Sequence, residues 1–395
     1  MVSRRRIAVY DLYWETYGGG EQVDGTIAQV LAEDGHDVTL LGPNPPDVGR
    51  TLERLGVDLS ACDYRRVTDD AGASTASADF DVFVNGTYLS RCENRAALGY
   101  YYVHFPQSPP TRLDAVRNRV AIGGVKALSL VPGELPLRLR EVQAGFDRRV
   151  QRIHHLASYR RFFANSAFTA RWTERLWSVP AEVLYPPVRP MAEPGPKSPT
   201  ILSLGRFFDP AFGHSKKQAE LLEAFGTLER AGAAPGWELA LVGGCDATNR
   251  EYALAVRRAA LGRPVQVHVN APGALVARLL RESSVYWHGA GFGEDPDRHP
   301  ERFEHFGIAL VEAMAAGAVP VVYGAAGPAE IVRDGVDGRH WHSVEELVAI
   351  TAGLVADPAE LARLGAAARL RALDFGVDRF RRELTAALEA DLAGL

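Results

Sequence analysis

Two carboxylates separated by seven residues, Glu304 and Glu312, bracket the apolar run Phe306-Gly-Ile-Ala-Leu-Val311, which continues to Gly317. Ile308, Val311 and Ala315 fall at helical spacing, so the pattern predicts a helix that begins near Gly307 and stops at Gly317. Glu312 then lies inside the helix and Glu304 in the loop that feeds its first turn. The N–H groups of Gly307, Ile308 and Ala309 have no intrahelical partner there, and with the helix dipole they form an anion site suited to a diphosphate. Like charges repel, so the flanking glutamates suit neutral hydroxyls on groups attached to the phosphates, a sugar on one side and a ribose on the other.

Cations stand further up the chain. Arg206 lies just past the apolar strand Thr200-Ile-Leu-Ser-Leu-Gly205, and Lys216 and Lys217 open a helical run from Gln218 to Leu228. Positive charge at a helix N-terminus is unfavourable without an anion. Two fixed cations facing such a terminus can neutralise a departing diphosphate without a metal.

The elements that must position these groups are strands alternating with helical patterns. Ile7 to Tyr10 reads as a first strand, followed by a loop with Gly18-Gly19-Gly20 and a helix from Glu21 to Asp34 that ends at Gly35. Strand, glycine loop and helix let backbone N–H groups approach a phosphate. The spacing is not Gly-x-Gly-x-x-Gly, and no acidic residue follows the next strand, Val38 to Leu41, which argues against a nicotinamide enzyme. Asp81 to Gly86 and Tyr100 to Pro106 read as parallel strands, the second presenting His104 at its carboxyl end, where ligands sit in doubly wound folds. A lone histidine there is otherwise structural. Phe162-Phe163 and Ala181 to Val188 supply two further strands, and the proline-rich stretch Arg189 to Pro199 reads as a linker. A second strand set follows at Leu239 to Val242, Val265 to Val269, Val285 to His288 and Val319 to Tyr323, with turns at Gly243-Gly244 and Asn270 expected to line a nucleotide base.

The Glu-x7-Glu pattern with Ala313-Met-Ala-Ala-Gly317, Val319-Pro-Val-Val322 and Gly327-Pro-Ala-Glu330-Ile-Val332 resembles the signature of retaining GT-B glycosyltransferases of family four. Trp287-His-Gly-Ala-Gly-Phe-Gly293 and Pro300 to Gly307 resemble its bacterial polysaccharide-type members. The resemblance implies an α/β GT-B fold, two Rossmann-like domains facing across a cleft. Residues 1–190 would form the acceptor-side domain, residues 197–377 the nucleotide-sugar domain, and the helix 378–395 would cross back to the first. It also implies roles. Glu304 would bind donor-sugar hydroxyls and Glu312 the ribose. Arg206 would meet the diphosphate with Lys216, which is placed by counting back from Ala224-Phe225 and has Lys217 as its substitute. His104 would contact the sugar, and Gly19 and Gly20 would face the donor phosphates. Phe306, Gly307, Ile308 and Ala309 complete the donor-binding set. The implied reaction moves a sugar from a UDP- or GDP-sugar to an acceptor hydroxyl on a polysaccharide, a lipid-linked glycan or a small natural product. No cofactor and no metal are expected. An epimerase or phosphorylase on the same fold, or a non-catalytic scaffold subunit, are the competing readings.

At 395 residues the chain exceeds what one hydrophobic core supports, so two domains are expected. A net charge of -5 argues against nucleic acid as a partner. Cys62, Cys92 and Cys245 lack metal-ligand spacing and read as small hydrophobes in a reducing cytoplasm. No run is long enough to span a bilayer, and the short apolar run after Arg4-Arg-Arg6 meets Asp11 too soon for a signal segment. Residues 112–161 are rich in arginine, either a solvated helical face over Leu137, Val142, Phe146 and Val150 or a docking face for an anionic acceptor or the inner membrane surface. Asp79-Phe-Asp81 and Asp295-Pro-Asp297 match a metal-binding pattern of the other major glycosyltransferase fold, a weak signal by itself.

Overall fold

The computed structural model describes residues 4–106, 154–190 and 193–394, with isolated positions between 120 and 142. The arginine-rich stretch 112–161 therefore lies mostly outside the described residues. The chain divides into two compact units. The first comprises Met1–Asn165, Thr169–Leu184 and Leu384–Leu395, and the second Ser166–Phe168 and Tyr185–Glu383. The division falls at Leu184, ahead of the proline-rich stretch, and the final helix Val377–Leu392 contributes its last turns to the first unit. There Asp391 accepts hydrogen bonds from the Tyr100 hydroxyl and the Arg161 guanidinium, both at 2.9 Å.

The first unit is built on a parallel sheet of β1 (Arg6–Tyr10), β2 (Asp37–Gly42), β3 (Asp63–Arg66), β4 (Val82–Asn85), β5 (Leu98–Val103), β6 (Arg161–Ala164) and β7 (Glu182–Val183). The strands run in the order β3-β2-β1-β4-β5-β6-β7. In the second unit β8 (Ser198–Leu204), β9 (Glu238–Gly243), β10 (Val265–Val269), β11 (Ser283–His288), β12 (Val319–Tyr323) and β13 (Arg339–Trp341) form another parallel sheet, ordered β10-β9-β8-β11-β12-β13. Both are Rossmann-like. Helices cover both faces of such sheets, which is why β4, β5 and β11 read as continuous runs and are buried at every position.

The two strand orders locate the ligand side of each unit. Order reverses between β1 and β4 in the first sheet and between β8 and β11 in the second. Crevices open at such points, beyond the carboxyl ends of the strands. Asp11 and Gly86 follow β1 and β4 directly, while Gly205 follows β8 and His288 ends β11.

The helix Ile308–Ala315 carries the Glu-x7-Glu pattern. Leu310, Val311, Ala313 and Met314 are buried along it, and full burial of a side chain such as Leu310 contributes about 1.5–3 kcal/mol. That packing fixes the rotation of the helix and so the direction of Glu312. Gly307, at φ +108°, enters from the left-handed region that side chains avoid. At the other end Gly317 has φ +84°, and the N–H groups of Gly317 and Ala318 donate to Met314 O and Ala313 O, a Schellman termination.

Candidate active site

In the second unit the loop before Ile308–Ala315 brings Glu304 to the end of β11. Its carboxylate accepts from the Lys216 ammonium and lies 3.4 Å from His288 Nε2. Burial alone would raise the Glu304 carboxyl, but Lys216, His288 and His214 together hold it well below the usual carboxylate range. Among the described residues the amides of Gly307, Ile308 and Ala309 have no hydrogen-bond partner, as is usual for a helix first turn. Glu312, one turn inside the helix, has its carboxyl pushed up to about 8 by burial.

Lys217 is the more constrained of the two lysines. It caps the helix Gln218–Arg230 at φ +59°, a strained conformation for a residue with a side chain. Its ammonium donates to Glu294 at 2.9 Å, and Arg302 reaches the other oxygen of Glu294 at 3.0 Å. The anions that offset positive charge at this helix start are thus supplied by the chain itself, Glu304 for Lys216 and Glu294 for Lys217. This corrects the argument that these lysines need an external anion. Lys216 is the one whose partner also faces the anion site, which separates it from Lys217.

Arg206 is exposed, with its guanidinium 5.2 Å from the centre of the Phe208 ring. The stem of Lys216 crosses Gly205, where a Cβ would lie 2.7 Å from Lys216 Cγ, so the two predicted cations approach the same strand end. Sequence reasoning missed the histidines here. His214 and His305 face each other at 6.5 Å, and burial lowers them to about 4 and about 3, so both are neutral near pH 7. His288 could have been found by the argument applied to His104, a polar residue at the carboxyl end of a buried strand. Cys245 and Asn270 exchange hydrogen bonds at 2.9 and 3.1 Å and border a cavity of about 270 Å³ with Asp246, Arg250 and Arg257, at the turns expected to line a base. Glu330 of the Gly-Pro-Ala-Glu sequence accepts from the backbone N–H groups of Ala167 and Phe168 and from the Tyr185 hydroxyl, a structural task.

The first unit has a different lining. Gly19 and Gly20 are not loop residues: the helix starts two residues earlier than predicted, as Gly19–Glu33. Glu21 accepts from the Gly18 N–H and so occupies the helix start with a carboxylate of the chain's own. That places a negative charge beside the first-turn amides, so the surroundings of Gly19 and Gly20 differ from those of the helix start at Gly307. Gly20 packs on His104, a Cβ there lying 3.5 Å from Cε1 of the ring. His104 Nε2 meets Gly86 O at 2.8 Å; a carbonyl only accepts, so Nε2 carries the hydrogen. Burial lowers the His104 pKa, and the ring is a neutral, oriented group. Asp79 and Asp81 are spent on Arg65 and on the Arg6 N–H, and Asp295 on the N–H groups of Asp297 and Arg298. Among the described residues no cluster of histidine, cysteine or carboxylate side chains could hold a metal ion.

Two Rossmann-like parallel-sheet units define the class: this is the GT-B fold of glycosyltransferases. Similar solved structures include Anabaena Alr3699/HepE in complex with UDP-glucose, at TM-score 0.66 and 15% identity over 98% of this chain and 100% of that one. A glycosyltransferase of Rickettsia africae gives 0.67 at 13%, covering 99% of each chain. A sucrose-phosphate synthase of Thermosynechococcus elongatus gives 0.66 at 16%, over 99% of this chain and 100% of its own. Residues 191–371 match the family described as Glycosyl transferases group 1. The chain therefore carries a group 1 glycosyltransferase domain and is a glycosyltransferase. No curated protein matches the sequence closely enough to serve as a relative. Among the described residues no helix is long and apolar enough to cross a membrane.

Proposed function

We propose that the protein is a retaining, metal-independent glycosyltransferase of family four that takes a sugar from a uridine diphosphate sugar and places it on an acceptor hydroxyl. One observation carries the reading: the Lys216–Glu304–His288 cluster beside the open amides of Gly307, Ile308 and Ala309. The donor diphosphate binds those amides and draws the Lys216 ammonium from Glu304, and Arg206 swings from Phe208 to join it. Glu304, released, accepts from donor-sugar hydroxyls, and Glu312 accepts from the ribose. The bond between the anomeric carbon and the phosphate oxygen breaks as the acceptor oxygen bonds that carbon on the same face. The acceptor proton passes to the departing phosphate oxygen. Peptide dipoles and two cations offset the leaving charge where other enzymes use a metal.

The uridine base is supported by the UDP complexes of HepE, and the cavity beside Cys245 and Asn270 would take it. His104, in the first unit, serves the acceptor side. Three free cysteines accord with work in the reducing cytoplasm. The test is transfer by the Glu304→Ala variant: the reading expects near-complete loss, and full activity would refute it.

A further inference from the structure

At the order reversal of the first sheet lies a cavity of about 230 Å³. Its lining includes Asp11, Glu21, Asp24, Tyr13, Tyr88 and His104, and no lysine or arginine among the described residues. Asp24 is 0% exposed and neither of its carboxyl oxygens has a hydrogen-bond partner; Asp11 is 1% exposed and its Oδ2 has none. A buried carboxylate without partner or counter-charge is costly and rare. Burial, then Glu21, pushes the Asp11 carboxyl up to about 7; burial, then Asp11 and Glu21, holds Asp24 well above the carboxylate range. The chain also tolerates Asp24 only by leaving Gly86 bare: a Cβ on Gly86 would lie 1.8 Å from Asp24 Oδ1. Tyr13 and Tyr88, 45% and 48% exposed, stand at the rim.

We infer that this cavity recognises a protonated amine on a polyhydroxylated ring, so that the acceptor of the proposed transfer is an aminosugar or aminocyclitol. Three acceptor oxygens lack donors, Asp11 Oδ2 and both oxygens of Asp24, and an ammonium carries three N–H donors. Its positive charge ionises the acids it meets and removes their desolvation cost, which a neutral hydroxyl does not. The rim tyrosines supply aromatic surface next to which the ring and its cation can pack. A divalent metal is the poorer occupant, since no three carboxylates among the described residues converge to hold one. A phosphorylated acceptor is the poorer fit, since every charged side chain in the described lining is a carboxylate.

The inference rests on the glycosyltransferase reading, and one calorimetric series separates the two. The full chain is titrated with UDP, glucosamine, N-acetylglucosamine, glucose and magnesium chloride. Glucosamine is expected to saturate and to bind at least about tenfold more tightly than its N-acetyl form or glucose. Asp24→Asn is expected to weaken glucosamine about tenfold or more while leaving UDP affinity unchanged; Asp11→Asn serves if the first variant does not fold. Equal binding of the amine and N-acetyl forms, unchanged glucosamine affinity in the variants, or saturation by magnesium abolished by Asp24→Asn would each overturn the inference. UDP binding in the same series leaves the proposed function standing; its loss would remove both.

Discussion

The two order reversals place acidic residues at equivalent points of two similar sheets and treat them in opposite ways. In the second unit Glu304 meets Lys216 and His288 and is held in its ionised form. In the first, Asp11 and Asp24 meet no cation among the described residues, and burial favours their protonated forms. Equal topology does not set the chemistry of a crevice; the residues one turn away do. On the proposed reading, a crevice with its charges already paired exchanges partners, an ammonium moving from carboxylate to diphosphate. A crevice with unpaired acids is built to receive a counter-charge.

The comparison breaks first at Glu304. Glu304→Ala should lower the transfer rate by about 10²–10³, the scale of losing one preorganised polar contact, measured as UDP released from a matched donor and acceptor. Lys216→Ala should weaken UDP binding by about 1.5–3 kcal/mol, the contribution of a hydrogen bond to a charged group, and calorimetry reads this directly. Binding that survives unchanged would move the diphosphate role to Lys217.

The opposite treatment of the acids predicts opposite stability profiles. Glu304 has a depressed carboxyl, so its contribution is complete above an unfolded value of about 4.3 and is lost as pH falls toward the folded one. Glu304→Gln should therefore lower Tm at pH 7 and match the parent in acid. Asp24 has a raised carboxyl, so the native state loses stability as pH climbs above about 3.9. Asp24→Asn should raise Tm at pH 7, by about 1 kcal/mol or more in stability, and match the parent below pH about 4. Shifts of the same sign in both variants would contradict the contrast. The smallest effect is expected at Glu312, whose carboxyl stands at about 8. The parent should lose stability as pH rises from about 4.3 through 8, and Glu312→Gln should flatten that alkaline limb in a pH series of melting curves.

Much of the second unit was legible because its signals were local. The helix at Ile308–Ala315, its stop at Gly317 and the strands Val265–Val269 and Val319–Tyr323 follow from periodicity and glycine placement within a few residues. The ion pairs were not legible, since Lys216 and Glu304 lie far apart in sequence and only the β8 and β11 strand ends bring them together. The acidic crevice of the first unit left one trace that could have been read. Asp24 shares a helical face with Ile27, Ala28 and Leu31, all buried, and a carboxylate on an apolar stripe signals a ligand or a shared proton. The glycines before it carry the stronger local signal, and Glu21, capping Gly18, adds a carboxylate there that spacing alone does not reveal.

The most direct measurement of the central claim is a calorimetric titration of UDP into the full chain in the presence of EDTA, repeated with Lys216→Ala. Saturable binding without metal in the parent, clearly weakened in the variant, is the predicted result. No saturable binding of UDP without a divalent ion, or equal affinity in both proteins, would contradict it.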